Sequence, residues 1–221
     1  MKSILLSLIT LFSLNAMANT DETVVIESRK TIVEKDSSEH MRMNKKITVQ
    51  WQLFGSGANG TSQSAIIAGY HLDRNSIIQL EAGGGGNSFR TFFSSSEYSY
   101  NSYSVGAHFK KFLGNSFYVK TGVDYRSVDY VFNYGYSSVK TGFEGNSLAA
   151  SLVIGNQWQW DNFTLGCDWI GLSLPFAHTV TSETLSADAD SYHRANLDED
   201  EEHYLKNGYA QALRFYVGYS F

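Results

Sequence analysis

Residues 208–221 read GYAQALRFYVGYSF, and from Leu213 onward every second position carries a large apolar side chain: Leu213, Phe215, Val217, Tyr219 and Phe221. Between them stand Arg214, Tyr216, Gly218 and Ser220. A strand sends alternate side chains to opposite faces. The segment therefore predicts a strand, Gly208 to Phe221, with one apolar face and one polar or small face.

Working back along the chain, the same alternation returns in seven earlier segments. Ile47, Val49, Trp51 and Leu53 alternate with Thr48, Gln50, Gln52 and Phe54. Ile66, Ala68, Tyr70 and Leu72 share one face of the next segment, and Ile78, Leu80 and Ala82 that of the third. The third ends near Gly83 to Gly86, four glycines that read as a bend or bulge. Tyr103, Val105, Ala107 and Phe109 follow, then Phe117, Val119, Thr121, Val123 and Tyr125. The sixth carries Leu148, Ala150, Leu152, Ile154 and Trp158, and the seventh Phe163, Leu165, Cys167 and Trp169. Short polar turns (residues 73–76, 111–115, 160–162) alternate with longer polar stretches, the longest opened by Pro175 and running to Asn207. Eight strands with short and long connections in alternation predict an all-β fold, an eight-stranded antiparallel transmembrane up-and-down β-barrel over residues 46–221.

The charges test that register. A basic side chain facing lipid near the midplane costs roughly 2–4 kcal/mol, so several on the apolar face would forbid the fold. Instead Glu81, Lys120, Asp124, Arg126, Asp168 and Arg214 all fall on the opposite parity, accompanied by His71, His108, Gln50, Gln52, Gln79 and small residues such as Gly106, Gly122, Gly155 and Gly166. They predict a lumen filled by paired charges, with Asp168 and Arg214 as partners on neighbouring strands. A soluble ligand-carrying barrel has the reverse partition. The mean hydropathy of −0.24 does not oppose this, because only alternate residues of a barrel face lipid. Aromatic residues fall at two levels: Tyr70, Phe109, Phe117, Trp158, Phe163, Tyr219 and Phe221 at one end, and Tyr103, Tyr125 and Tyr209 at the other. Two such levels read as interfacial girdles.

The terminal strand, Leu213, Phe215, Val217, Tyr219 and Phe221, resembles the C-terminal signature of bacterial outer-membrane proteins. The resemblance implies that these five residues are the signal for the barrel-assembly machinery. Residues 46–221 as a whole resemble the small eight-stranded OmpA/OmpX-type barrels. That implies a location in the outer membrane among lipid and lipopolysaccharide, with the C-terminus in the periplasm.

The N-terminal residues agree with export. Lys2 precedes an apolar run from Ile4 to Leu14 and a small-x-small site at Ala16-Met17-Ala18, the form of a signal peptide cleaved after Ala18. Residues 19–45, charged and without aromatics, read as a periplasmic extension and solvated tail. Cys167, the single cysteine, excludes an intramolecular disulfide, and nothing in the sequence calls for a cofactor or for nucleic acid.

Function is less legible than architecture. The filled lumen points to a structural or surface-interaction role in the cell envelope, with no catalysis; a narrow or gated channel is the alternative inside the barrel. The stretch 176–207 holds eight carboxylates against two bases, and Asp188, Asp190, Asp198 and Asp200 are its candidates for divalent cations, with His178, His193 and His203 nearby in sequence. Ser182, His193 and Asp198 are the residues an outer-leaflet lipid-modifying enzyme would use. An adhesion or recognition role would fall to the Tyr/Ser-rich segments 94–104 and 130–138.

Overall fold

The computed structural model describes residues 37–56, 64–90, 96–135 and 139–221. The signal peptide, Ala18 and residues 19–36 lie outside them. A short helix, α1 (Ser38–Arg42), leads into eight strands: β1 (Ile47–Ser56), β2 (Ser64–Asp73), β3 (Ser76–Arg90), β4 (Glu97–Phe112), β5 (Phe117–Asn133), β6 (Lys140–Trp160), β7 (Phe163–Leu185) and β8 (Tyr209–Ser220). Between β7 and β8 lies α2 (Ser191–Glu201), continued by a π-helical turn, Glu202–Lys206. Each strand is antiparallel to the next, and β8 pairs back onto β1 from Thr48↔Ser220 to Ser56↔Ala212, so the sheet closes as a barrel.

Where the ring is closed it leaves no strand edge, and the two faces differ as a hydrocarbon layer demands. Trp51, Ile66, Tyr70, Leu80, Tyr103, Val105, Phe163 and Tyr219 stand exposed on the outside. Gln50, Gln52, Gln79, Lys120, Asp168 and Arg214 are buried inside. No helix among the described residues is long and apolar enough to cross a membrane.

The barrel is lopsided. A spanning strand needs about 9–11 residues. β1 and β2 have 10 residues each, but β5, β6 and β7 have 17, 21 and 23. Above the apolar belt these strands continue as a wall on one side. The stretches expected as loops after Gly86 and after Tyr125 are therefore largely strand, and the one after Pro175 is strand as far as Leu185 and then mostly helix. Their apolar alternation stops at the belt, but Tyr, Phe, Val and Thr still favour extended backbone, and register such as Tyr98↔Phe132 and Tyr100↔Tyr130 carries the ladder onward. The Tyr/Ser-rich segments are accordingly wall for the most part, with 94–95 and 136–138 outside the described residues.

Four local expectations change. Gly83 to Gly86 pair with Ser104 to Asn101 without a register shift, so they form no bulge. Pro175 opens no loop: it pairs with Ala149 where the β6–β7 register shifts, and β7 is paired with β8 only as far as Ser173, so its missing N–H costs little. Phe54 points outward against Phe215, ring centroids 5.0 Å apart, because the β1–β8 register slips between Gln52 and Phe54. Tyr209 is no girdle residue, since the Arg126 guanidinium lies 4.5 Å from its ring centre in the interior. The phase of β8 reverses at Leu213, whose φ of 53° takes it out of the pleat.

Candidate functional site: a filled lumen stoppered at both ends

Parity along the strands decides what the lumen contains, and register decides which of those groups meet. At the short-turn end α1 is seated in the opening. Ser37 caps it by accepting from the His40 N–H. Arg42, only 1% exposed, donates to the carbonyls of Arg74 (3.2 Å), Asn115 (2.7 Å) and Gly114 (3.5 Å), and its guanidinium lies 3.7 Å from the centre of the Phe112 ring. Lys45 pairs with Asp161 at 3.8 Å, and Glu39 with Arg74 at 3.3 Å. The last part of the segment read as a solvated tail is thus a plug, because backbone carbonyls of the β2–β3 and β4–β5 turns have a buried cation to bind.

Above the plug, Tyr118 and Tyr216 touch through their hydroxyls at 2.9 Å, and Lys110 donates to Gln157 Oε1 (2.9 Å) and to Tyr216 (3.2 Å). Each tyrosine lies over a glycine directly across the ladder, Tyr118 over Gly155 and Tyr216 over Gly166. A Cβ at either glycine would collide with the ring that covers it. The inward glycines therefore make room for the rings that fill the barrel.

Next comes the charge cluster. Lys120 Nζ lies 2.9 Å from Asp168 Oδ2 and 3.8 Å from Glu81 Oε2; Arg214 is bound to Glu81 and lies 3.7 Å from Asp168. Arg214 also donates through Nε to Gln52 Oε1 at 2.9 Å, and Tyr118 donates to Asp168. Asp168 and Arg214 are register partners on adjacent strands, yet each has a tighter partner elsewhere in the lumen. Of the six inward charges read from the sequence, four meet here. Asp124 is paired instead with His108 Nε2, 3.0 Å away, and Arg126 stands apart, nearer the wall end.

The far end is closed by α2 and its π-turn. Leu197 and Leu205 are fully buried among Tyr100, Val128, Tyr130 and Phe143 of β4, β5 and β6. Tyr204 stacks beside Tyr130 (4.9 Å between centroids) and Tyr100 (5.1 Å), and Arg126 donates to the Tyr204 carbonyl. Asp190 caps α2 by accepting from the Tyr192 and His193 N–H groups, with His193 completing a capping box.

This lid replaces the acidic loop expected there. Its carboxylates do not converge: Asp190 is engaged by His193 at 2.6 Å and Asp198 by Arg194 at 3.2 Å, while Asp200 meets the Tyr130 hydroxyl. Among the described residues no three acidic, histidine or cysteine groups lie together as a metal centre, so Asp188, Asp190, Asp198 and Asp200 form no joint site. His193 and Asp198 hold different partners, and Ser182 lies on β7 opposite Glu144, so the candidate triad is not assembled. His178 sits on β7 opposite Ser147, away from the lid histidines His193 and His203.

Lys110 and Tyr118 escaped the sequence reading although parity places them inward, next to outward Phe109 and Phe117, and Tyr216 stands there on the polar or small face of the last strand without a partner named for it. The lid also had a signal. Leu197, Tyr204 and Leu205 stand at i, i+7 and i+8, the helical spacing of one apolar face, downstream of an N-cap aspartate.

No protein-family model matches the chain, and no curated protein matches it in sequence. Solved structures do match in fold. A major outer membrane protein from Thermus thermophilus is similar over 80% of this chain and 100% of its own, at 13% identity and a TM-score of 0.52. The attachment invasion locus protein Ail of Yersinia pestis is similar over 80% and 97%, at 11% identity and a TM-score of 0.48. CarO of Acinetobacter baumannii is similar over 81% and 98%, at 13% identity and a TM-score of 0.44. The chain has the eight-stranded barrel fold of the small OmpA/OmpX-type proteins.

Proposed function

We propose that this chain is an outer-membrane barrel that conducts nothing through its lumen and acts through the structures it holds above the membrane, as a structural or surface-interaction protein without catalytic activity. The observation that carries the reading is double closure: Arg42 of α1 stops one end, Leu197 and Leu205 stop the other, and ion pairs and tyrosines fill the space between. The outer-membrane location is supported by the apolar belt and by the likeness in fold to the Thermus protein. On this reading the short turns, the N-terminal extension and the C-terminus face the periplasm, and the β5–β7 wall with its lid faces outward among lipopolysaccharide. Leu213, Phe215, Val217, Tyr219 and Phe221 then serve as the signal to the barrel-assembly machinery.

Planar-bilayer recording tests the proposal. Full-length protein whose folding is verified by gel heat-modifiability is expected to show no unitary current steps. Reproducible steps from that preparation would replace this reading with that of a narrow channel.

A further inference from the structure

Beneath the lid one buried charge has no counter-ion. Arg126 is 2% exposed, and no carboxylate among the described residues lies within 4.0 Å of it; Asp124, two residues away, belongs to His108. Nη2 donates to the Tyr204 carbonyl, but no protein group accepts from Nε or Nη1. Directly across the β5–β6 ladder Ser147, also 2% exposed, has an Oγ without a partner. The Tyr100 hydroxyl, beside Tyr204, has none either. Of the inward cations described above, Lys120 and Arg214 hold Asp168 and Glu81, and Asp124 is held by His108, so Lys110 and Arg126 have no carboxylate among the described residues within 4.0 Å; Lys110 donates instead to Gln157 and Tyr216, which leaves Arg126 as the cation with unmatched N–H groups. Buried ions are held by partners of opposite sign, and an unmatched guanidinium with free N–H groups is the donor set that anions select.

We propose that Arg126, with Ser147 as second donor, binds a compact anion, carboxylate or phosphate in type, beneath the lid. Because the same guanidinium holds the Tyr204 carbonyl, the bound anion orients Arg126 toward the π-turn and keeps the lid shut. This goes beyond the closed-barrel reading and does not depend on it: an anion under the lid is compatible with a barrel that conducts or one that does not.

The test uses full-length folded protein in detergent. Phosphate or acetate is titrated at constant ionic strength against gluconate, while hydrogen exchange is followed in residues 191–206. Exchange there is expected to slow several-fold with phosphate or acetate in the wild type, to be insensitive in Arg126→Gln, and to respond weakly in Ser147→Ala. Crystals grown with bromide are expected to give an anomalous peak in contact with the Arg126 guanidinium. Whichever of phosphate and acetate acts at lower concentration assigns the ligand type. Wild-type exchange that ignores both anions, with no bromide at Arg126, overturns the proposal without reference to any variant. So does a response that persists undiminished in a folded Arg126→Gln protein.

Discussion

Lys120 Nζ and Asp168 Oδ2 stand 2.9 Å apart inside the barrel, although their strands, β5 and β7, are separated by β6. The bond crosses the lumen, joining strands that share no ladder, and Arg214 and Glu81 extend it to β8 and β3. Removing one partner of such a pair leaves a buried charge, which typically costs about 3–5 kcal/mol, whereas removing both costs much less. Lys120→Met and Asp168→Leu are each expected to destabilise the barrel by that order, and the double variant by clearly less than their sum. Urea unfolding of the four proteins in lipid vesicles measures the cycle. Additive single effects would show that the two groups act independently.

The lid is held by two leucines. Leu205→Ala removes a fully buried side chain, at about 2–5 kcal/mol of local stability. Gly145→Val acts from the other side, because a Cβ at residue 145 would stand 2.5 Å from Leu205 Cδ1. Both variants are expected to expose the 191–206 segment to proteolysis while the barrel keeps its heat-modifiable gel shift. A lid no easier to cut than in the wild type would remove these contacts from the account.

Lid stability is expected to peak in mildly acidic solution. Burial raises the Asp200 carboxyl, and burial beside Glu183 and Asp198 raises that of Glu201. The folded lid therefore holds protons that the unfolded one has released, and stability falls as pH rises through the raised values. Asp190 shifts the other way: the His193 backbone N–H and side chain lower it, so its capping contribution stands above the ordinary carboxylate range and is lost as pH falls through the lowered value. Hydrogen exchange of residues 191–206 measured against pH is expected to show slowest exchange between the two limits. Glu201→Gln flattens the neutral limb and Asp190→Ala the acid one.

At the opposite end, Arg42→Ala strips the plug of its three carbonyl partners and its place on Phe112. Hydrogen bonds from a charged donor are worth about 1.5–3 kcal/mol each in favourable settings, so α1 is expected to detach. Cleavage of intact barrels within residues 37–45 by an added protease reads this out. Protection equal to that of the wild type would mean that Lys45 and Glu39, paired with Asp161 and Arg74, hold the plug without Arg42.

Much of the molecule was legible in the chain because a β-barrel writes its two environments at period two. Thr48, Gln50 and Gln52 against Val49 and Trp51, or Lys120 against Val119 and Thr121, separate the faces by strand geometry alone. Above the membrane that code fails. There the strands of the wall have no lipid on one side, so Tyr130 or Phe143 reads as loop composition until a helix is seen lying on it. In the lid, acidic residues on the solvent face hid the leucines of the buried one.

The sequence by itself determined the strand faces, the inward charges and the barrel, since a single misplaced ion in hydrocarbon outweighs local preference. Which charges meet, where Leu213 breaks the pleat, and what stoppers the two ends were decided only by the tertiary structure. Those depend on register and on contacts such as Arg42 with Asn115, or Leu205 with Gly145, between residues far apart along the chain, and no local period records them.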